Sequence, residues 1–176
     1  MRDDRNGRPA PHVRYRIAGP EGELQIQSPY AMNGYLDAPD LTDAAFDDGW
    51  LRTGDIARDR EDGLVELVGR AKEIIVRAGH KISPIDVERV FLGHPDISEA
   101  LATGIQDETH GEAIHLLVVP RWEAALNEAS LLAWAREHLE PYKLPDRIHL
   151  GSDIPVGGTG KADRRALEQL IESGAI

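Results

Sequence analysis

Lys161 is the residue whose surroundings most invite chemistry. It follows glycines at 157, 158 and 160, and glycine lets a backbone approach a ligand or swing a side chain toward one. The run is not a phosphate-cradling P-loop. That motif needs Gly five positions before its second Gly and Ser or Thr after the Lys, where this chain has Pro155 and Ala162. Spacing alone favours a solvent-exposed lysine on a loose loop ahead of a helix. Asp55, in Arg52-Thr53-Gly54-Asp55, is a carboxylate at a strand end, able to accept two hydrogen bonds from vicinal hydroxyls as acidic residues do with ribose. A turn aspartate bonded to its own backbone is the simpler reading of that residue alone. Arg70 and Lys72 flank a point where the composition changes, and an ordinary charged connector explains them equally well. Histidines at 12, 80, 94, 110, 115, 138 and 149 show no metal-ligand spacing, so no metal site in protein ligands is expected. His94 before Pro95 reads as a helix C-cap, and His115 as a packed residue of an apolar strand. No serine sits in a nucleophile elbow.

The elements that must hold these residues follow from periodicity. Val13, Tyr15 and Ile17 alternate with polar residues, and so do Leu24 and Ile26, with Gly19-Pro20-Glu21-Gly22 between them; this is a hairpin with a longer loop. A short helix fits 42–46, capped by Asp40 or Thr42. A strand starting at Trp50 is expected to close at Gly54-Asp55. Glu61-Asp62-Gly63 turns into a second strand over 64–68. Beyond Arg70, 74–76 and 81–82 flank Ala78-Gly79-His80, a hairpin in which Gly79 takes the positive backbone angle. Ser83-Pro84-Ile85-Asp86 starts a helix with proline at its first position and a Ser-x-x-Asp capping pattern, ending before Pro95. Strands over 97–105 and 113–119, a helix through 126–139, a short strand at 148–150 and a final helix complete the chain. The expected fold is α+β: a β-rich subdomain over 1–70, a small barrel or sheet, then a compact α+β domain over 71–176 with a short mixed sheet flanked by helices.

Composition narrows the function. The chain has 176 residues, 41% of them hydrophobic, and no cysteine, which describes a globular protein without a disulfide framework or thiolate chemistry. A net charge of −11 argues against nonspecific nucleic acid binding, though not against one nucleotide. The longest apolar run, 113–119, is too short to span a bilayer, and the N-terminal residues lack the apolar core of a signal peptide. A cytoplasmic location is expected.

Taken in order, several segments form a set: Gly22-Glu23-Leu24 with Gly34-Tyr35; GWLRTGD at 49–55; GRAKEIIVRAGHKISPIDVE at 69–88; Tyr142-Lys143-Leu144-Pro145; and Pro155 to Gly160-Lys161. The set resembles the C-terminal part of the adenylate-forming (AMP-forming) acyl-CoA synthetases over nearly the whole chain, and Tyr-Lys-x-Pro leans toward acyl- or aryl-CoA ligases. The resemblance implies a two-step reaction: a carboxylate attacks ATP to give acyl-AMP and pyrophosphate, and the CoA thiol then displaces AMP. By the same resemblance Asp55 binds the ribose hydroxyls with Arg70 beside it, and Lys161 contacts the carboxylate and α-phosphate. Lys72 is a hinge, and Gly79, His80 and Lys81 line the pantetheine channel. Mg2+ is expected with ATP, but not through ligands in this chain. The family's phosphate loop and most of its acid pocket belong to a large N-terminal adenylation domain, the expected partner, so these residues alone are expected not to adenylate. The other reading is a noncatalytic module that docks onto a ligase or a carrier protein.

Overall fold

The computed structural model describes residues 6–122 and 124–176. It divides into two compact units, 1–72 and 73–176.

In the first unit, strands β1 (Asn6–Gly7), β2 (Arg14–Ala18), β3 (Glu23–Gln27), β4 (Phe46–Asp47), β5 (Trp50–Asp59) and β6 (Val65–Arg70) form one antiparallel sheet. Its order is β1-β6-β5-β3-β2, with β4 on the end of β5. Helix α1 spans Pro39–Ala45. It begins before the expected residue 42, because proline fits the first turn, and its N-cap is Ala38, not Asp40 or Thr42, with no side-chain cap. Strand β5 also departs from expectation: it does not close at Gly54-Asp55 but runs on to Asp59. Gly54 adopts a φ of 71°, and two steps along β3 (Glu23 to Gln25) face four along β5 (Ile56 to Arg52). The turn signal at Gly54 is therefore a bulge inside a continuing strand.

In the second unit, β7 (Ile75–Arg77) and β8 (His80–Ile82) form a hairpin, and helix α2 covers Pro84–Leu92. Long strands β9 (Ile97–Asp107) and β10 (Gly111–Pro120) pair antiparallel along their length. Helix α3 (Glu128–His138) leads to β11 (Arg147–Leu150), which runs parallel to β10 and makes the sheet mixed. Helix α4 spans Arg164–Glu172. Alternation along the central strands sorts the core. Ala100, Ala102, Leu116 and Val118 pack with Phe91 of α2 and Leu131 of α3, whereas Leu101 and Leu117 pack with Leu167 of α4. The mixed sheet is thus covered by helices on both faces, the α+β arrangement expected.

Local starts differ in detail. Ser83 is the N-cap of α2 but its side chain makes no capping bond; the Pro84 first turn carries the start. Helix α3 begins with an Asn127/Ser130 capping box that its pattern of leucines did not reveal. The C-cap of α2 is Gly93, not His94. His94 instead accepts the Asp96 N–H on Nδ1 at 3.2 Å and sits edge-on to Trp134.

Candidate functional site

The bulge in β5 presents Asp55 directly across from Arg70 on β6. Thr53 Oγ1 donates to the Leu24 carbonyl at 2.7 Å and accepts the Asp55 N–H at 3.0 Å, which fixes the bulge. Arg70 Nε lies 2.8 Å from Asp55 Oδ1, and Arg70 Nη1 donates to the Thr53 carbonyl. One carboxylate oxygen is oriented by the guanidinium. Among the described residues none donates to the other, and a carboxylate held this way suits a pair of sugar hydroxyls. Lys72 lies in a 3-10 turn, Ala71–Glu73, and is the last residue of the first unit.

In the second unit, the turn between β7 and β8 is Ala78-Gly79, with φ of 47° and 80°. Two positive φ values make it a type I′ hairpin; only Gly79 was expected to take that angle. A Cβ on Gly79 would meet nothing within 4 Å, so within this chain its backbone angle, not crowding, calls for glycine. His80 and Lys81 are exposed on β8. The His80 ring stacks on Tyr142 with centroids 4.4 Å apart. Arg77 donates to the Leu144 carbonyl at 2.8 Å and pairs with Asp146 at 2.6 Å, while Asp146 also accepts the Ile114 N–H. The Gly79-His80-Lys81 turn and the Tyr142–Pro145 segment, sixty residues apart in sequence, thereby form one surface.

Lys161 does not sit on a loose loop. Val156 bridges Ala162, the Gly157 N–H donates to the Lys161 carbonyl at 2.8 Å, and the Gly160 N–H to the Gly157 carbonyl at 2.9 Å. Gly160 has a φ of 75°. This is a three-residue hairpin with a glycine bulge, and it holds the backbone of Lys161 at its base while the side chain stays exposed.

A buried ion cluster beside this hairpin was not legible in the sequence. Arg164, the first residue of α4, meets both oxygens of Glu88 from α2 and the carbonyl of Ala102 from β9, and its Nε lies 2.9 Å from Glu73. Glu88 also accepts the Ala102 N–H at 2.8 Å. Burial pushes the Glu88 carboxyl up, and the Arg164 charge pulls it back in part. Burial would lower the Arg164 guanidinium, but Glu88 and Glu73 outweigh it and the net shift is upward. The signal available in advance was two charged residues on the apolar faces of α2 and α4. His115 is half-buried, as expected for a packed residue, and shares a 3.0 Å Nδ1···Nε2 contact with His149. Among the described residues no group of three or more potential ligands could hold a metal ion, and no helix is long and apolar enough to cross a membrane.

A family model, the AMP-binding enzyme C-terminal domain, matches residues 86–161. Over those residues the chain has the C-terminal domain of the AMP-binding enzymes. It carries the C-terminal domain of an adenylate-forming ligase, as the relatives also show. It is 40% identical over 149 residues to the oxalate–CoA ligase of Arabidopsis thaliana, a match covering 85% of this chain and 29% of that protein. Its structure resembles the amide bond synthetase McbA of Marinactinospora thermotolerans, with a TM-score of 0.87 and 34% identity over 93% of this chain and 35% of that one. The ATP-bound MatB of Rhodopseudomonas palustris is similar at a TM-score of 0.89 and 25% identity, over 97% of this chain and 36% of that one. The chain thus spans 29% of the length of the curated plant relative.

Proposed function

We propose that these residues are the C-terminal part of a cytoplasmic acyl-CoA ligase, which activates a carboxylic acid with ATP and passes the acyl group to the CoA thiol. The observation that supports this reading is Asp55 on its bulge, one oxygen held by Arg70 and the other without a donor among the described residues. Asp55 binds the ribose hydroxyls of the nucleotide, and Arg70 orients it. Lys161 contacts the substrate carboxylate and the α-phosphate, where negative charge gathers as the acid attacks phosphorus and pyrophosphate leaves. A compact ammonium on an anchored hairpin suits that charge stabilisation. Lys72 is the hinge about which 73–176 reorients before thiolysis, and Gly79, His80 and Lys81 line the path of the pantetheine arm. Mg2+ arrives with ATP and is held outside this chain, by the triphosphate and the large adenylation domain that supplies the phosphate loop.

The test combines these residues with that large domain and separates the half-reactions. Lys161→Ala should lower acid-dependent ATP–pyrophosphate exchange by about a hundredfold or more, the size of losing one preorganised charge-stabilising group. Thiolysis of supplied acyl-AMP should stay within about threefold of the parent. Equal loss in both steps would remove the role given to Lys161. The 176 residues alone should support no exchange.

A further inference from the structure

Arg164 stands three positions after Lys161, and the connection between them has no slack. Ala162 bridges Val156, Asp163 N–H donates to the Pro155 carbonyl at 2.9 Å, and Asp163 Oδ1 caps α4 by accepting the Ala166 N–H at 3.1 Å. A displacement of Arg164 is therefore a displacement of the lysine hairpin. The Arg164 side chain is only 15% exposed, and its two carboxylate partners differ sharply: Glu88 is 11% exposed and Glu73 is 39% exposed. Glu88 is the interior anchor, tying the hairpin to α2 and β9. The Nε–H also reaches outward to Glu73, the first residue after the boundary between the two units.

We propose that Arg164 is the positioning residue for Lys161, anchoring the lysine hairpin to Glu88 on one side and, on the other, to Glu73, the residue that opens the C-terminal unit. The proposal rests on the role given to Lys161 above. The fork matters: guanidinium offers donors in three directions at once, to Glu88, the Ala102 carbonyl and Glu73, which a lysine ammonium on a flexible stem cannot reproduce. Since small misplacements of a reacting group cost large factors in rate, loosening this anchor should slow the step that uses Lys161 and leave nucleotide affinity alone.

The experiment compares Arg164→Lys, Glu73→Gln and Lys161→Ala in the ligase assembled with its large domain. Arg164→Lys should lower the kcat of adenylation by about tenfold to a hundredfold while KM for ATP stays within about twofold and thiolysis of supplied acyl-AMP within about threefold. Amide hydrogen exchange should speed up at Gly157 and Gly160 but not at Leu116 and Val118 in the sheet. Glu73→Gln, which keeps the Glu88 anchor, should reproduce the kcat effect at about threefold. Unchanged adenylation and hairpin exchange in Arg164→Lys would overturn the proposal, and so would faster exchange throughout the sheet, the mark of a merely structural residue. Should Arg164→Lys not fold, Glu73→Gln decides: no change in its adenylation kcat would overturn the proposal. Lys161→Ala separates the two levels. If it leaves adenylation intact, the reading of Lys161 fails; if it suppresses adenylation while Arg164→Lys and Glu73→Gln do not, only the Arg164 proposal fails.

Discussion

Asp55 and His115 are polar residues that the strand pattern located but could not partner. The sequence marks Asp55 by the turn glycine before it, yet that glycine makes a bulge, and only the register of β5 against β6 sets Arg70 opposite. His115 was legible as a packed residue because it interrupts an apolar strand. Its contact with His149 depends on β11 lying parallel beside β10, which no local pattern encodes. That contact has a measurable consequence. Burial lowers both imidazoles below their ordinary 6.5, His149 lowers His115 further, and Arg147 works in the same direction on each. Asp146 opposes this at His115 and Glu128 at His149. The unfolded chain therefore takes up protons first as pH falls below about 6.5, so acidification should destabilise the C-terminal unit while stability stays level above. Urea midpoints at pH 7.5 and 5.5 should show that decline, and His115→Gln/His149→Gln should shrink it. An equal decline in the variant would show that the pair is not its source.

At the scale of elements, turn chemistry was legible where glycine or proline stood at the decisive position, and obscure where another residue adopted an unusual angle. Gly79 and Pro84 announced their elements. Ala78, with φ of 47°, did not, because an alanine in the left-handed region costs roughly 1–2 kcal/mol and is not expected there. The lysine hairpin shows the converse: three glycines read as looseness, although Gly160 closes a bulge and the loop is hydrogen-bonded shut. Gly79 allows a clean separation of backbone from passage. Asparagine tolerates positive φ, and a Cβ there meets open space, so Gly79→Asn should keep the fold, with a melting temperature within a few degrees. If the turn borders the pantetheine path, the variant should still slow thiolysis of acyl-AMP by about tenfold, the rate equivalent of about 1.4 kcal/mol. Thiolysis at the parent rate would take the turn off that path.

For the whole molecule, alternation and helical spacing were enough for the α+β arrangement, since each apolar face had one sheet to cover. What could not be foreseen were contacts closing across long stretches of chain: His80 with Tyr142, and Arg164 with residues 91 and 76 positions earlier. Among the described residues, most of the buried apolar side chains lie beyond residue 72, with Ile56, Ala57 and Val65 the exceptions. The core of the C-terminal unit therefore encloses the Glu88 carboxylate as well as hydrocarbon. Leaving such a charge buried without its partner costs about 3–5 kcal/mol. During synthesis Glu88 emerges 76 residues ahead of Arg164, and until the tail arrives its cheapest place is in water. Pulsed hydrogen exchange on the refolding chain should accordingly show α2 amides gaining protection no earlier than those of α4; earlier protection of α2 would sink the idea. On that account the docking of α2 waits for the segment that carries Arg164.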